Sequence, residues 1–118
     1  MELNNDAKLL RIILGEADKL EHSALYDVIV REARSFGLAG ATVWRGVMGF
    51  GPTTRIRTAR ILDLSTDLPI IVEIVDTDEK ISQFLPILHG LFETAGCGGL
   101  VTVEKVTVIR YLHGRQDV

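Results

Sequence analysis

Arginine and glycine are the residues whose placement in this chain suggests chemistry. No acidic residue occurs between Glu32 and Asp63, whereas five arginines do: Arg34, Arg45, Arg55, Arg57 and Arg60. Two glycine-rich segments, GFGPTT at 49–54 and GCGG at 96–99, lie where a strand should meet another element. Backbone N–H groups in such segments approach anions closely, and arginine adds a charged fork that suits phosphate oxygens. The pattern indicates one local anion site, although a solvated loop with incidental arginines explains the charge alone equally well.

Groups for catalysis or metal binding are sparse. The serines and Cys97, the single cysteine, have no histidine at a spacing typical of a nucleophile and its base. The histidines His22, His89 and His113 are scattered and form no ligand pair at helical or finger spacing. We therefore predict no catalytic residue and no metal site, and an enzyme is the least favoured interpretation.

Size and composition bound the organisation of the chain. Its 118 residues, 47% of them hydrophobic and 25% charged, predict a single domain over 1–118 with flexible ends at about 1–6 and 112–118. The formal net charge of −3 argues against a surface that coats nucleic acid. No apolar run is long enough to span a bilayer and the first residues lack the pattern of a signal peptide, so a cytoplasmic location is expected.

Alternating hydrophobicity predicts the strands that position these residues. Strands are expected over 7–15, 40–48 and 100–111, and alternation at 58–64 continues into a strand over 69–76. The segment at 49–58 has turn-forming, basic and hydroxyl residues without apolar periodicity, so it is predicted to be an exposed, mobile loop.

The 3.6-residue period predicts two helices. The first should begin at a Ser23 cap and end at Gly37. The second should begin at Asp76 or Thr77, with Glu79 in a capping box, and end in the glycines at 95–99.

The element order β-α-β, β-α-β is that of an α+β, ferredoxin-like sandwich. In that fold a four-stranded antiparallel sheet carries two helices on one face. The other face of the sheet should display apolar side chains such as Leu9 and Ile13. Because that area is too apolar to remain in water, we expect the protein to self-associate.

Three segments of the chain resemble a known family. They are GLAGATVWRGVMGFG at 37–51, LPIIVEIVDTDEKISQFLPIL at 68–88 and GLVTVEKVTVIRY at 99–111. The chain resembles the PII-like family catalogued as domain of unknown function 190 and is more distantly similar to the nitrogen-regulatory PII signalling proteins. The resemblance implies a ferredoxin-like homotrimer with nucleotide sites in the clefts between subunits.

The resemblance also implies roles for individual residues. Thr42, Glu73 and Val75 match positions that surround adenine in PII proteins. The loop base beside the nucleotide is matched by Gly49, Phe50 and Gly51, and the last glycine turn by Gly99. Leu100 stands where PII proteins have a phosphate-binding lysine, so one or more of the arginines is expected to supply the charge: Arg45, Arg55, Arg57 and Arg60.

Two functions remain open at this point. The first is a non-enzymatic PII-like regulator that binds an adenine nucleotide, AMP or ADP, and controls an unidentified protein partner through the loop at 50–58. The resemblance makes a membrane transporter or channel a candidate partner. The second is an oligomeric structural or metal-tolerance-type trimer with no nucleotide ligand.

Overall fold

Four strands and two helices form the frame of the protein in a computed structural model, which describes residues 6–52, 56–58 and 67–114. The long strands are β1 (Ala7–Gly15), β4 (Thr42–Arg45), β7 (Pro69–Thr77) and β8 (Leu100–Lys105), and the helices are α1 (Leu25–Phe36) and α2 (Asp78–Ala95). Short strand pairs complete the fold: β2 (Lys19–Leu20) with β3 (Ser23–Ala24), and β5 (Met48–Gly49) with β6 (Arg57–Thr58).

The four long strands form one antiparallel sheet in the order β4-β7-β1-β8. On β1, the side chains of Leu10, Ile12 and Leu14 are buried, whereas their alternating neighbours are only partly buried. The buried residues pack with the helices, represented by Ile29 of α1 and Phe84 of α2. The predicted α+β ferredoxin-like sandwich is confirmed, with both helices on one face of the sheet.

The helix ends follow the prediction in part. Gly37 ends α1 in the left-handed region at φ 94°, where a side chain would be strained, and Thr77 caps α2 by accepting a bond from the Lys80 N–H at 3.2 Å. The predicted Ser23 cap is wrong, because Ser23 belongs to β3 and Ala24 occupies the cap position without a side-chain bond. The predicted capping box is also wrong, since with Thr77 as the cap its third position is Lys80 rather than Glu79.

Two predicted strands are shorter in the structure. The strand expected over 40–48 ends at Arg45: Gly46 still donates its N–H to the Pro69 carbonyl at 2.7 Å, but proline has no N–H to return. The strand expected over 100–111 ends at Lys105, which pairs with Lys8 near the start of β1. The strand predicted over 58–64 falls mostly outside the described residues. No helix in the described parts of the chain is long and apolar enough to cross a membrane.

Candidate functional site

The sheet face opposite the helices, here called the open face, carries an apolar row and a polar row. Register places Trp44, Ile71, Ile13 and Leu100 side by side across all four strands. Trp44 is 55% exposed and Leu100 is 53% exposed. The open face is therefore an apolar surface that the described part of one chain leaves uncovered.

The polar row is organised by Arg11. Its guanidinium donates to one oxygen of Glu73 through Nε at 3.1 Å and Nη2 at 2.9 Å, and Nη1 forms an ion pair with Glu104 at 3.0 Å. The hydrogen bond from Arg11 to Glu73 is the main reason that the pKa of Arg11 is raised. Because both bonds reach Oε2 of Glu73, the orientation of that carboxylate on the sheet is fixed.

A first pocket of about 330 Å³ lies at the end of the open face where β7 begins. Most of its wall is apolar or glycine backbone, and Asp18 supplies a carboxylate whose Oδ2 accepts from the Gly15 N–H at 2.8 Å. None of its described lining residues is basic. The pocket includes the residues that the resemblance matched to the loop base and the last glycine turn: Gly49, Phe50, Gly51 and Gly99.

A second pocket of about 540 Å³ lies toward the other end of the same face. The sheet contributes Leu9, Glu73 and Val75 to it, and the segment that leads into β4 contributes 39–42. The remaining wall comes from Trp44 of β4 and from the residues after β8. The lining thus combines apolar, aromatic, hydroxyl, carboxylate and guanidinium groups, with Trp44, Val108, Arg110 and Tyr111 completing it.

Ala39 is the fixed point of the second pocket. Its N–H donates to Oδ2 of Asp76 at 2.9 Å, and its carbonyl accepts from the Tyr111 hydroxyl at 3.0 Å. Asp76 is fully buried, and its other oxygen accepts from the Thr77 N–H at 2.7 Å. A buried carboxylate that is satisfied by backbone N–H groups holds the backbone in one place, so this wall of the pocket is rigid.

The arginines predicted to bind phosphate do not gather at either pocket within the described residues. Arg45 forms an ion pair with Glu16. Arg57 pairs through its backbone with Gly49 in β5 and β6, while its side chain, like Arg55 and Arg60, lies outside what the structure describes. The sequence analysis missed Arg110, which lines the second pocket. Its position beside Tyr111 in the last matched segment was the available signal.

Cys97 lies in a third pocket of about 430 Å³, between α2 and β8. Its thiol is half-buried and donates to the Ala95 carbonyl at 3.6 Å. Burial is the main cause of the raised pKa of this thiol, and the charge of Asp18 raises it further. Across the described residues, no group of three or more His, Cys, Asp or Glu side chains is placed to hold a metal ion.

Comparison with known proteins identifies the family. The family model DUF190, described as "Uncharacterized ACR", matches residues 7–108. The chain belongs to the DUF190 family. A UPF0166 protein of Aquifex aeolicus (strain VF5) is 40% identical to this DUF190 chain over 102 residues, which are 86% of the chain and 92% of the relative. A UPF0166 protein of Methanocaldococcus jannaschii is 38% identical over 90 residues, which are 76% of the chain and 82% of that relative.

A solved structure shares the fold of this DUF190 protein. It is CPII, a nitrogen regulatory PII-like protein from Thiomonas intermedia K12, bound to ADP, AMP and bicarbonate. The TM-score is 0.67, the identity is 22%, and the match covers 88% of this chain and 89% of CPII. The likeness establishes a PII-like fold and confirms the suspected resemblance.

The residues that the family resemblance singled out lie in two different pockets. Thr42 and Glu73 are register partners in β4 and β7, and Val75 lies two residues further along β7, so all three reach the second pocket. The glycines and Phe50 reach the first pocket. Ile71 of the first pocket and Val75 of the second lie on the same strand about 13 Å apart at the usual rise per residue.

Proposed function

We propose that this DUF190 protein is a PII-like regulatory protein that binds AMP or ADP in the second pocket. In this proposal three copies associate through their open faces, and the nucleotide site is completed between subunits. Binding changes the loop at 50–58, which controls a protein partner. A membrane transporter or channel is the partner class that we propose.

The chemistry of the second pocket carries the proposal. A volume of about 540 Å³ falls within the usual range for small-molecule sites. Leu9, Val75 and the Trp44 ring offer apolar surface for a base, while Thr42 and Glu73 offer a hydroxyl and an oriented carboxylate for hydrogen bonds. The same fold binds ADP and AMP in CPII, which supports the same ligand class here.

Arg110 is the proposed phosphate contact within the described residues. It lines the second pocket, and the structure gives its guanidinium no described ion pair, whereas Arg45 is already paired with Glu16. A charge-assisted hydrogen bond to a phosphate is among the stronger polar contacts. Gly49, Phe50 and Gly51 enter the proposal differently, because they line the first pocket, as Gly99 does, and form the base of the loop at 50–58.

Native mass spectrometry with AMP, ADP and ATP tests the proposal, since it reports subunit number and bound ligand together. We expect a trimer that binds AMP or ADP, and we expect Arg110→Ala to weaken that binding about ten-fold or more. Arg34→Ala is the matched control, because Arg34 is exposed on α1 and far from the open face. Equal affinity in both variants would remove Arg110 from the site. No binding by the wild type at millimolar nucleotide would favour a trimer without a nucleotide ligand.

A further inference from the structure

The residues after β8 form a strap across the end of the sheet. The strap comprises 106–114 and has no regular secondary structure. It begins at the β8 edge, where the Val106 N–H donates to the Ala7 carbonyl at 3.2 Å. By Tyr111 it has reached Ala39, close to the β4 edge. The strap therefore passes all four strands at the end of the sheet where the second pocket lies.

The strap presents different side chains to its two sides. Val108 and Tyr111 are partly buried and line the second pocket, as does Arg110. Ile109 is 90% exposed and Leu112 is 69% exposed. A segment with few inward apolar anchors and no strand partner opens at low cost in free energy. Two hydrogen bonds hold the strap: a main-chain bond at Val106 and the bond from the hydroxyl of Tyr111.

The contact between Tyr111 and Ala39 joins a rigid part of the molecule to this weakly held one. The backbone of Ala39 is held by the hydrogen bond from its N–H to the buried carboxylate of Asp76. The strap side of the contact is a single hydroxyl bond of 3.0 Å, and the edge-to-face contact of the Tyr111 ring, at 5.5 Å, is with His113 of the strap itself. Breaking this bond releases the Tyr111 part of the strap, while the bond from the Ala39 N–H to Asp76 stays in place.

We propose that the strap is a gate of the second pocket and that the Tyr111 hydroxyl is its latch on the Ala39 carbonyl. Release of the latch admits the nucleotide, and its closure retains the nucleotide. This inference rests on the proposed function, because it takes an adenine nucleotide as the occupant of the second pocket. Tyr111 acts here as a positioning residue: its hydroxyl holds the wall and is not required to touch the ligand.

Stopped-flow binding of ADP to Tyr111→Phe tests the gate, and the single tryptophan, Trp44, supplies the fluorescence signal from inside the pocket. Removing one neutral hydrogen bond should raise the association and dissociation rates together, each by about two- to twelve-fold. Tyr26→Phe is the matched control, because the other tyrosine of the chain packs against the core from α1. Unchanged rates would overturn the latch. A rise in the dissociation rate alone would make Tyr111 an ordinary ligand contact and would overturn the gate.

Hydrogen exchange without nucleotide separates the gate from the proposed function. Amides in 107–112 should exchange about two- to twelve-fold faster in Tyr111→Phe than in the wild type or in Tyr26→Phe, while amides of β7 stay unchanged. Equal exchange in all three proteins would overturn the latch whether or not a nucleotide binds. If exchange rises but the wild type binds no nucleotide, the proposed function fails, and nucleotide gating fails with it. A single cooperative thermal unfolding transition in each variant shows that both variants fold.

Discussion

At the scale of single residues, Cys97 shows how a neighbour tunes a side chain that the sequence leaves ambiguous. A cysteine between glycines could be an exposed, reactive thiol. In the structure its thiol is half-buried, donates to the Ala95 carbonyl and interacts electrostatically with the negative charge of Asp18. Burial and that charge both disfavour the thiolate, so the pKa of Cys97 is raised. Because the thiolate is the nucleophile, the environment makes this cysteine less reactive.

We predict that iodoacetamide alkylates Cys97 at neutral pH more slowly than it alkylates cysteine in an unstructured peptide. Asp18→Asn should speed the reaction, by less than about ten-fold, because the variant lowers the pKa and one pKa unit changes the thiolate fraction ten-fold. Mass spectrometry over a time course measures both rates. Asp78→Asn, an exposed change at the start of α2, should leave the rate unchanged. Alkylation faster than in the peptide would contradict the prediction.

The arginines show where inference from the sequence stops at this scale. The charge pattern of the sequence identified the basic stretch between Glu32 and Asp63, but it does not reveal which carboxylate forms an ion pair with each arginine. Glu16, which pairs with Arg45, lies 29 positions earlier in the chain, so the ion pair exists only once the sheet has formed. Arg110 was missed because it stands outside the basic stretch and lines the pocket only through the path of the strap. By contrast, Thr42 and Glu73 could be grouped from the resemblance, and register places them side by side.

At the scale of elements, the turn between α2 and β8 is set by packing at Gly99. A Cβ atom at this position would lie 2.8 Å from Cε1 of Phe92 and 3.0 Å from the Ile13 carbonyl oxygen. At neighbouring Gly98, the nearest atom would be the Cβ of Pro52 at 3.6 Å, which is an ordinary contact. Gly99 is therefore required where the turn packs against the end of the helix and the central strand, independently of any ligand.

We predict that Gly99→Ala lowers the free energy of unfolding by about 1–3 kcal/mol, because the added methyl group forces Phe92 or the β1 backbone to move. Gly98→Ala, one residue away and unobstructed, should change it by less than about 0.5 kcal/mol. Urea unfolding followed by circular dichroism measures both values. If the two variants were equally stable, packing would no longer account for the glycine at 99.

The strands that were predicted correctly are those in which the alternating hydrophobic pattern covers the same residues as the hydrogen-bonded pairing with neighbouring strands. Alternation in β1 gave both its bounds and its buried side, because this strand has neighbours on each side. Alternation also continues beyond Lys105, and Val106, Val108 and Tyr111 are partly buried, but the pairing with β1 ends one residue later, in a single bond from the Val106 N–H to the carbonyl of Ala7, where β1 begins. Periodicity reports which side is buried, whereas the length of a strand depends on its partner. That partner is distant in sequence.

At the scale of the whole molecule, the open face predicts how copies associate. The apolar row ends in Leu100, which is exposed in one chain and should be buried in the proposed trimer. Leu100→Glu places a charge in that row, and burying an unpaired carboxylate is costly. We predict that this variant loses the trimer and has a mass near the 13.0 kDa of one chain, measured by light scattering.

A change on the opposite face of the same strand serves as the control for this prediction. Val103 is also exposed and pairs with Leu10 on the helix side of the sheet. Val103→Glu should therefore remain a trimer, and both variants should keep the circular dichroism spectrum of the wild type. A trimeric Leu100→Glu protein, or a monomeric wild type, would show that the open face is not the contact surface.

The bridge from Arg11 to Glu73 and Glu104 has a further consequence for such an assembly. Two carboxylates share one guanidinium, so the bridge itself adds one excess negative charge per copy to the polar row of the proposed contact surface. Like charges that meet around a shared axis repel, and dissolved ions screen that repulsion over about 10 Å at 0.1 M. The subunits should then hold together more firmly as ionic strength rises, which is opposite to the behaviour of an interface built on salt bridges between copies. The salinity around the protein would thereby set part of its assembly equilibrium.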